Sequence, residues 1–294
     1  MNKLLCMLCA VALLAGCTGN PNQQEQQPAA DTFYSSQYSG NDRNHNQRNN
    51  DRPNNTGEYR STGDASLLDV KLPQRLDNQT VKYKAITVYY NKYYRVPNCV
   101  AYELTNTQVS MADAPDAQKR DNYQFNRDNN VSGCPDWWEY KETGYDRGHM
   151  APAMDMRWDR QAMAECFLMT NMCPQIEQLN NGPWKSLEES VHRWAKRDGS
   201  IWVYTGPIMG IHVQRIGPNG DIAVPAAFYK VLYAPRQQRA IAFIYDNQAG
   251  GGGMARHATT VAEVERRTGI TFFPRMAAAT ARSLKRQCNL TQWR

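Results

Sequence analysis

Within four residues, Asp146-Arg147-Gly148-His149, the chain places a carboxylate, a guanidinium fork and an imidazole. An imidazole titrates near neutral pH and can take a proton from water. A guanidinium presents a planar set of donors that matches a phosphate. Taken alone, such a histidine is more often a core residue satisfied by its neighbours. A second segment changes that balance. It opens 21 residues after His149 as Thr170-Asn171-Met172-Cys173-Pro174-Gln175, continues as Leu179-Asn180-Asn181-Gly182-Pro183-Trp184, and ends in Leu187-Glu188. An amide oxygen such as that of Asn180 suits a hard cation, which prefers oxygen and keeps several waters. Glu188 follows Asn180 by eight residues, about two helical turns. A helix starting near Gly182 would hold the pair at its mouth and on an inner turn. The remaining histidines, His45, His192, His212 and His257, lack such company and read as structural or exposed.

The elements that must position these residues are legible in part. Pro183 suits a first helical position after Asn181-Gly182. Trp184, Leu187, Val191 and Trp194 then fall on one apolar face, and Gly199 ends the helix. Thr260 and Glu263 predict a capping box for a second helix, closed by Gly269. Strands are expected at Ile86–Tyr94, Cys99–Thr105, Ile201–Thr205 (stopped by Gly206-Pro207), Phe228–Tyr233 and Ala240–Tyr245. Residues 106–140 are polar and read as a long irregular loop, in which Trp137, Trp138 and Tyr140 are expected to pack rather than to stack on bases. The glycine run Gly250–Gly253 has no following Lys-Ser/Thr and reads as a flexible loop, not a phosphate cradle. Strands mixed with a few helices point to an α+β domain with a mixed or antiparallel sheet at its core.

The chain has 294 residues, a net charge of +6 and no apolar run long enough to span a bilayer as a helix. Residues 1–17 carry Lys3, a twelve-residue apolar run and Leu14-Ala15-Gly16-Cys17. That ending resembles a bacterial lipoprotein signal, which implies cleavage before Cys17, lipidation of that cysteine and an outer-membrane anchor in the cell envelope. Cys6 and Cys9 lie inside the apolar run, so their CxxC spacing carries no metal or redox meaning. Residues 18–65 are rich in Asn, Gln, Ser, Gly and Pro and are expected to form a disordered tether. Its six acids and four bases leave +7 on the expected folded domain, residues 66–294, which suits a polyanionic partner. Five cysteines remain there, an odd number, so at most two internal disulfides are expected.

With these residues in order, the chain resembles the DNA/RNA non-specific endonucleases, the ββα-metal family with a DRGH motif. The motif stands as Asp146 to His149, followed by N-x-x-P-Q (Asn171 to Gln175), L-N-x-G-x-W (Leu179 to Trp184) and L-E (Leu187-Glu188). Val203 to Pro207, Val224-Pro225, Phe228 to Lys230 and Thr268-Gly269 extend the likeness across roughly residues 80–275. The resemblance implies a Mg²⁺-dependent enzyme (Mn²⁺ or another divalent ion being alternatives) that hydrolyses the phosphodiester bonds of DNA and RNA. It implies His149 as general base, Asn180 as metal ligand and Glu188 holding metal-bound waters. Arg147 would contact phosphate or pair with Asp146. Arg120, with Arg127 as a competitor, would match an upstream phosphate-contacting arginine. Asn171 and Gln175 would brace the site or touch substrate. No protein partner is readable. The alternative is a non-catalytic lipoprotein of this fold that captures nucleic acid, which replacement of His149, Asn180 or Glu188 would have favoured.

Overall fold

The computed structural model describes residues 68–294. The expected signal, Cys17 and the tether lie outside the described residues. Strands β1 (Gln79–Lys82), β2 (Thr87–Asn91) and β3 (Val96–Thr105) run as an antiparallel meander. Helix α1 (Asn106–Ala112) follows at once. A long connection then leads to β4 (Asp146–His149), α2 (Ala153–Met156), α3 (Arg160–Cys166) and β5 (Met172–Gln175). The short α4 (Glu177–Leu179) passes through a widened π-helical turn, Asn180–Trp184, into α5 (Lys185–Asp198). Next come β6 (Ser200–Ile208), the small hairpin β7 (Arg215–Ile216) and β8 (Ile222–Ala223), then β9 (Ala227–Ala234) and β10 (Arg239–Asp246). The short strand β11 (Ala258–Thr259) and helices α6 (Val261–Thr268) and α7 (Ala278–Lys285) complete the fold.

Seven strands form one sheet in the order β1-β2-β3-β6-β9-β10-β11, antiparallel at every ladder. The inner strands are buried on both faces, which is why they read as near-continuous apolar runs. Alternation sorts their side chains into two cores. Val100, Tyr102, Leu104, Ile201, Val203, Phe228, Leu232, Ile241 and Phe243 face α5 and the β4–β5 layer. Ala101, Trp202, Tyr204, Tyr229, Val231 and Ala242 face the α6–α7 side with Val261, Val264, Phe272 and Leu284. The α5 face is the one its spacing predicts: Trp184, Leu187, Val191 and Trp194 are all buried in the first core.

Three expectations are corrected. Residues 106–140 are not one irregular loop, because α1 occupies their start. Thr105 accepts from Gln108 N and Gln108 from Thr105 N, a reciprocal cap that was visible in Thr-x-x-Gln. Strand β6 does not stop at Gly206-Pro207. Its pairing with β3 ends at Thr205, so the missing proline N–H is not needed there, while Gly206 and Pro207 continue to pair with β9. Gly206 is required by space, since a β-carbon would overlap Asn98 O and the Tyr229 hydroxyl. Pro183 lies inside the π-helical turn rather than opening α5, and Gly182 departs from helical dihedrals there (φ −111°, ψ −112°). Thr260 caps α6 as expected, with Glu263 turned to Arg266.

Candidate active site

The DRGH motif is strand β4, and it pairs only with β5, off the main sheet: Asp146 with Gln175, Gly148 with Cys173 and His149 with Met172. Buried amides hold this ribbon in place. Asn171 accepts from Ala151 N and donates to the Ala151 and Cys166 carbonyls. Asn247 accepts from Ile176 N and donates to the Pro174 and Pro225 carbonyls, tying the end of β5 to the sheet. Gly148 is demanded by the pairing, because a β-carbon there would overlap the Gln175 amide. Gly148→Ala is therefore expected to cost about 1–3 kcal/mol, the usual range for overpacking a buried contact. Chemical denaturation would read it, and an unchanged midpoint would contradict the fit.

His149 sits between two aromatic rings. Phe125 is tilted against it at 5.5 Å between centroids and Phe167 meets it edge-on at 5.0 Å. Its Nε2 is covered yet has no hydrogen-bond partner. Burial, then the charges of Arg120 and Arg147, drive the imidazole pKa down to about 3. The ring is consequently neutral at neutral pH, the form that accepts a proton. Arg147 stacks its guanidinium over Phe125 at 4.6 Å, donates Nη1 to the Trp137 carbonyl at 3.3 Å and leaves its buried Nε unpartnered. Arg120 lies over Phe167 at 5.6 Å, so the loosely spaced upstream arginine does converge on His149. Its competitor Arg127 instead pairs with Asp136.

Asn180 is brought to the ribbon by the π-helical turn. Its Nδ2 donates to Asp146 Oδ2 at 2.9 Å, so the amide oxygen is not the atom used in that bond. Asp146 thus meets Asn180, while Arg147 turns to the Trp137 carbonyl and the Phe125 ring. Glu188, on the first turns of α5, has one covered carboxylate oxygen without a partner. Burial pushes its carboxyl up, opposed by the charge of Lys230. Among the described residues no three His, Cys, Asp or Glu side chains are grouped to hold a metal. The oxygens available here, that of the Asn180 amide and the unpartnered one of the Glu188 carboxyl, are of the kind a hard, water-retaining cation takes. They fit such an ion held by Asn180, with Glu188 acting through its waters.

Of the two roles open to Asn171 and Gln175, bracing or touching substrate, their burial favours the first. Asn171 and Gln175 are both 0% exposed. Asn171 is spent on backbone groups, while Gln175 packs against Gly148 with both polar atoms of its amide buried and unpartnered. The expected packing of Trp137 and Trp138 is corrected, since both are exposed while Tyr140 is buried. No disulfide joins the five described cysteines; Cys99, Cys134, Cys166 and Cys173 are buried thiols and Cys288 is exposed. His192 is structural as expected. It lies between buried Asp155 (2.8 Å) and Asp113 (3.1 Å); burial opposes its charge, but the two carboxylates outweigh it and raise its pKa. Sequence reasoning missed Lys230 as more than a family match. It is buried beneath the site, over the Trp184 ring at 4.7 Å, and donates to Thr205 Oγ1 at 2.9 Å.

A histidine on a two-stranded ribbon and an asparagine at the mouth of the following helix define the ββα-metal class of nuclease folds. The model of the DNA/RNA non-specific endonuclease family matches residues 63–279, and the chain belongs to that family. It is 30% identical over 207 residues to the mitochondrial nuclease EXOG of Danio rerio, covering 63% of this chain and 58% of that protein. It is also 30% identical over 213 residues to nuclease C1 of Cunninghamella echinulata, covering 67% of this chain and 83% of that one. The chain thus spans less than two thirds of the length of some curated relatives it matches. Among solved structures, the crystal structure of the EndoG/EndoGI complex superimposes with a TM-score of 0.64 and 28% identity, covering 68% of this chain and 87% of that chain.

Proposed function

We propose that this chain is a divalent-cation-dependent endonuclease that hydrolyses phosphodiester bonds in both DNA and RNA. The observation that carries the reading is one ribbon that holds both a neutral imidazole whose covered Nε2 has no partner and the aspartate that ties down the NH₂ of Asn180. His149 takes a proton from the attacking water. Arg147 and Arg120 hold the phosphate and offset its charge, and neither reads a base, which suits recognition of backbone with little sequence preference. Asn180, oriented by Asp146, would hold the cation, and Glu188 would position its water. A bound Mg²⁺ or Mn²⁺ would supply charge stabilisation at the phosphate and an acidified water for the leaving oxygen.

The first 17 residues support placement outside the cytoplasm. The proposal is a lipid anchor at Cys17, residues 18–65 as a tether, and the catalytic domain from residue 66 onward, held at the outer membrane. Digestion of plasmid and total RNA by the full chain, with Mg²⁺ or with EDTA, tests the activity. Both polymers are expected to be cut with Mg²⁺ and spared with EDTA. Binding without cutting under every divalent ion would oppose the enzymatic reading.

A further inference from the structure

Trp137 and Trp138 are 40% and 49% exposed, a costly position for two indoles side by side. They project from a short 3-10 turn, Trp137–Tyr140, that is itself rigidly held. Glu139 of that turn is buried, forks onto Arg95 through both carboxylate oxygens and closes a capping box with Asp136. Tyr140 is buried in the main core. The two indoles are therefore not loose loop residues but a surface presented by an anchored turn, so little conformational entropy remains to be lost on binding.

Their position ties them to the reacting centre. The Trp137 carbonyl accepts from Arg147, which stacks on Phe125, which packs on His149. The surrounding charge is favourable to a polyanion: Lys141 sits over the Trp137 ring at 4.6 Å, and Arg147 and Arg120 converge on His149. Lys141 occupies one face of Trp137, whereas Trp138 has no ring or cation against it among the described residues. An open indole face one residue from a phosphate-binding arginine is suited to a base that is free to leave its stack.

We propose that Trp138, with Trp137 beside it, is a stacking platform for an unpaired nucleobase adjoining the phosphate that is cut, giving the site a preference for single strands. The proposal rests on the nuclease reading above. A test compares binding of an oligothymidylate and of a blunt duplex to the full chain carrying His149→Ala, with and without Trp138→Ala or Trp138→Phe. Trp138→Ala is expected to weaken the single strand about tenfold and the duplex less than about twofold, with Trp138→Phe restoring most of the loss. Indole fluorescence quenched by oligothymidylate should shrink in both Trp138 variants. Equal losses on both polymers, or no loss on the single strand, would overturn the platform. If the wild-type chain still cuts in that case, only the platform falls. If the unsubstituted chain neither binds nor cuts any polynucleotide, the nuclease reading falls with it.

Discussion

His149→Ala is expected to lower the cleavage rate by about 10²–10⁴, the share a positioned general base supplies, while leaving polynucleotide binding nearly intact. The argument is geometric first. Nε2 is covered and unpartnered, and the ring is clamped by Phe125 and Phe167, so the side chain is shaped for a task rather than for packing. The pH dependence follows in sign. With its pKa held near 3 by burial and by Arg120 and Arg147, His149 in the free protein does not protonate as pH falls from 7 to 5. The acid limb of kcat/KM therefore lies well below the pH expected of an ordinary imidazole. Once a phosphate sits between the two arginines their charge is offset, the imidazole becomes easier to protonate, and the acid limb of kcat shifts upward relative to that of kcat/KM. A kcat/KM limb centred near pH 6.5 and abolished by His149→Ala would contradict this picture. Stability has the matching sign: between pH 6.5 and about 3 the unfolded histidine takes a proton that the folded one refuses, so acid destabilises the fold through this residue.

The second large effect belongs to Lys230. It is fully buried, faces the fields of Glu188 and Asp155, and is stacked on Trp184 with a single donor bond to Thr205. Burial pulls its pKa down while those two carboxylates push it back up, which marks one coupled group of charges beneath the site. Lys230→Met keeps the length of the side chain but removes a buried cation that answers the fields of Glu188 and Asp155. A loss of about 3 kcal/mol is expected, the lower end for removing one member of a buried ionic group. Activity should fall with it, because Glu188, pushed up to about 8 by burial even with Lys230 opposing, would be held still more firmly in its protonated form. Urea denaturation at pH 7 reads the stability. Adding Glu188→Gln should return part of the loss, since the two changes are coupled. Additive losses in the double variant would show that Lys230 does not answer to Glu188.

Much of this molecule is local in origin. The α5 stripe of Trp184, Leu187, Val191 and Trp194, the Thr260 cap and the apolar inner strands were legible because period and capping chemistry act over a few residues. The identity of the family was legible as well, because DRGH and the segments after it carry chemistry in an order that composition does not produce by chance. The misreadings came where a partner strand or a packing layer decides. Gly206-Pro207 looked like a stop because the sequence does not say that the β3 ladder ends at Thr205. For Asn171 and Gln175 the sequence left bracing and substrate contact both open, because a polar side chain beside a motif does not reveal that it is buried.

Residue types and order alone determined the candidate base, the metal amide and the expectation of a polyanionic substrate. Only the tertiary structure decided how they act. It brought Arg120 over Phe167 and so to His149, though 29 residues separate the two in the chain. It tied Asn180 to Asp146 across 34 residues, placed Lys230 under Glu188, and turned Trp137 and Trp138 outward. The physical reason is range. Helix faces and caps are set by neighbours one turn away, whereas desolvation, the field at a buried group and the open face of a ring depend on chain segments far apart in sequence.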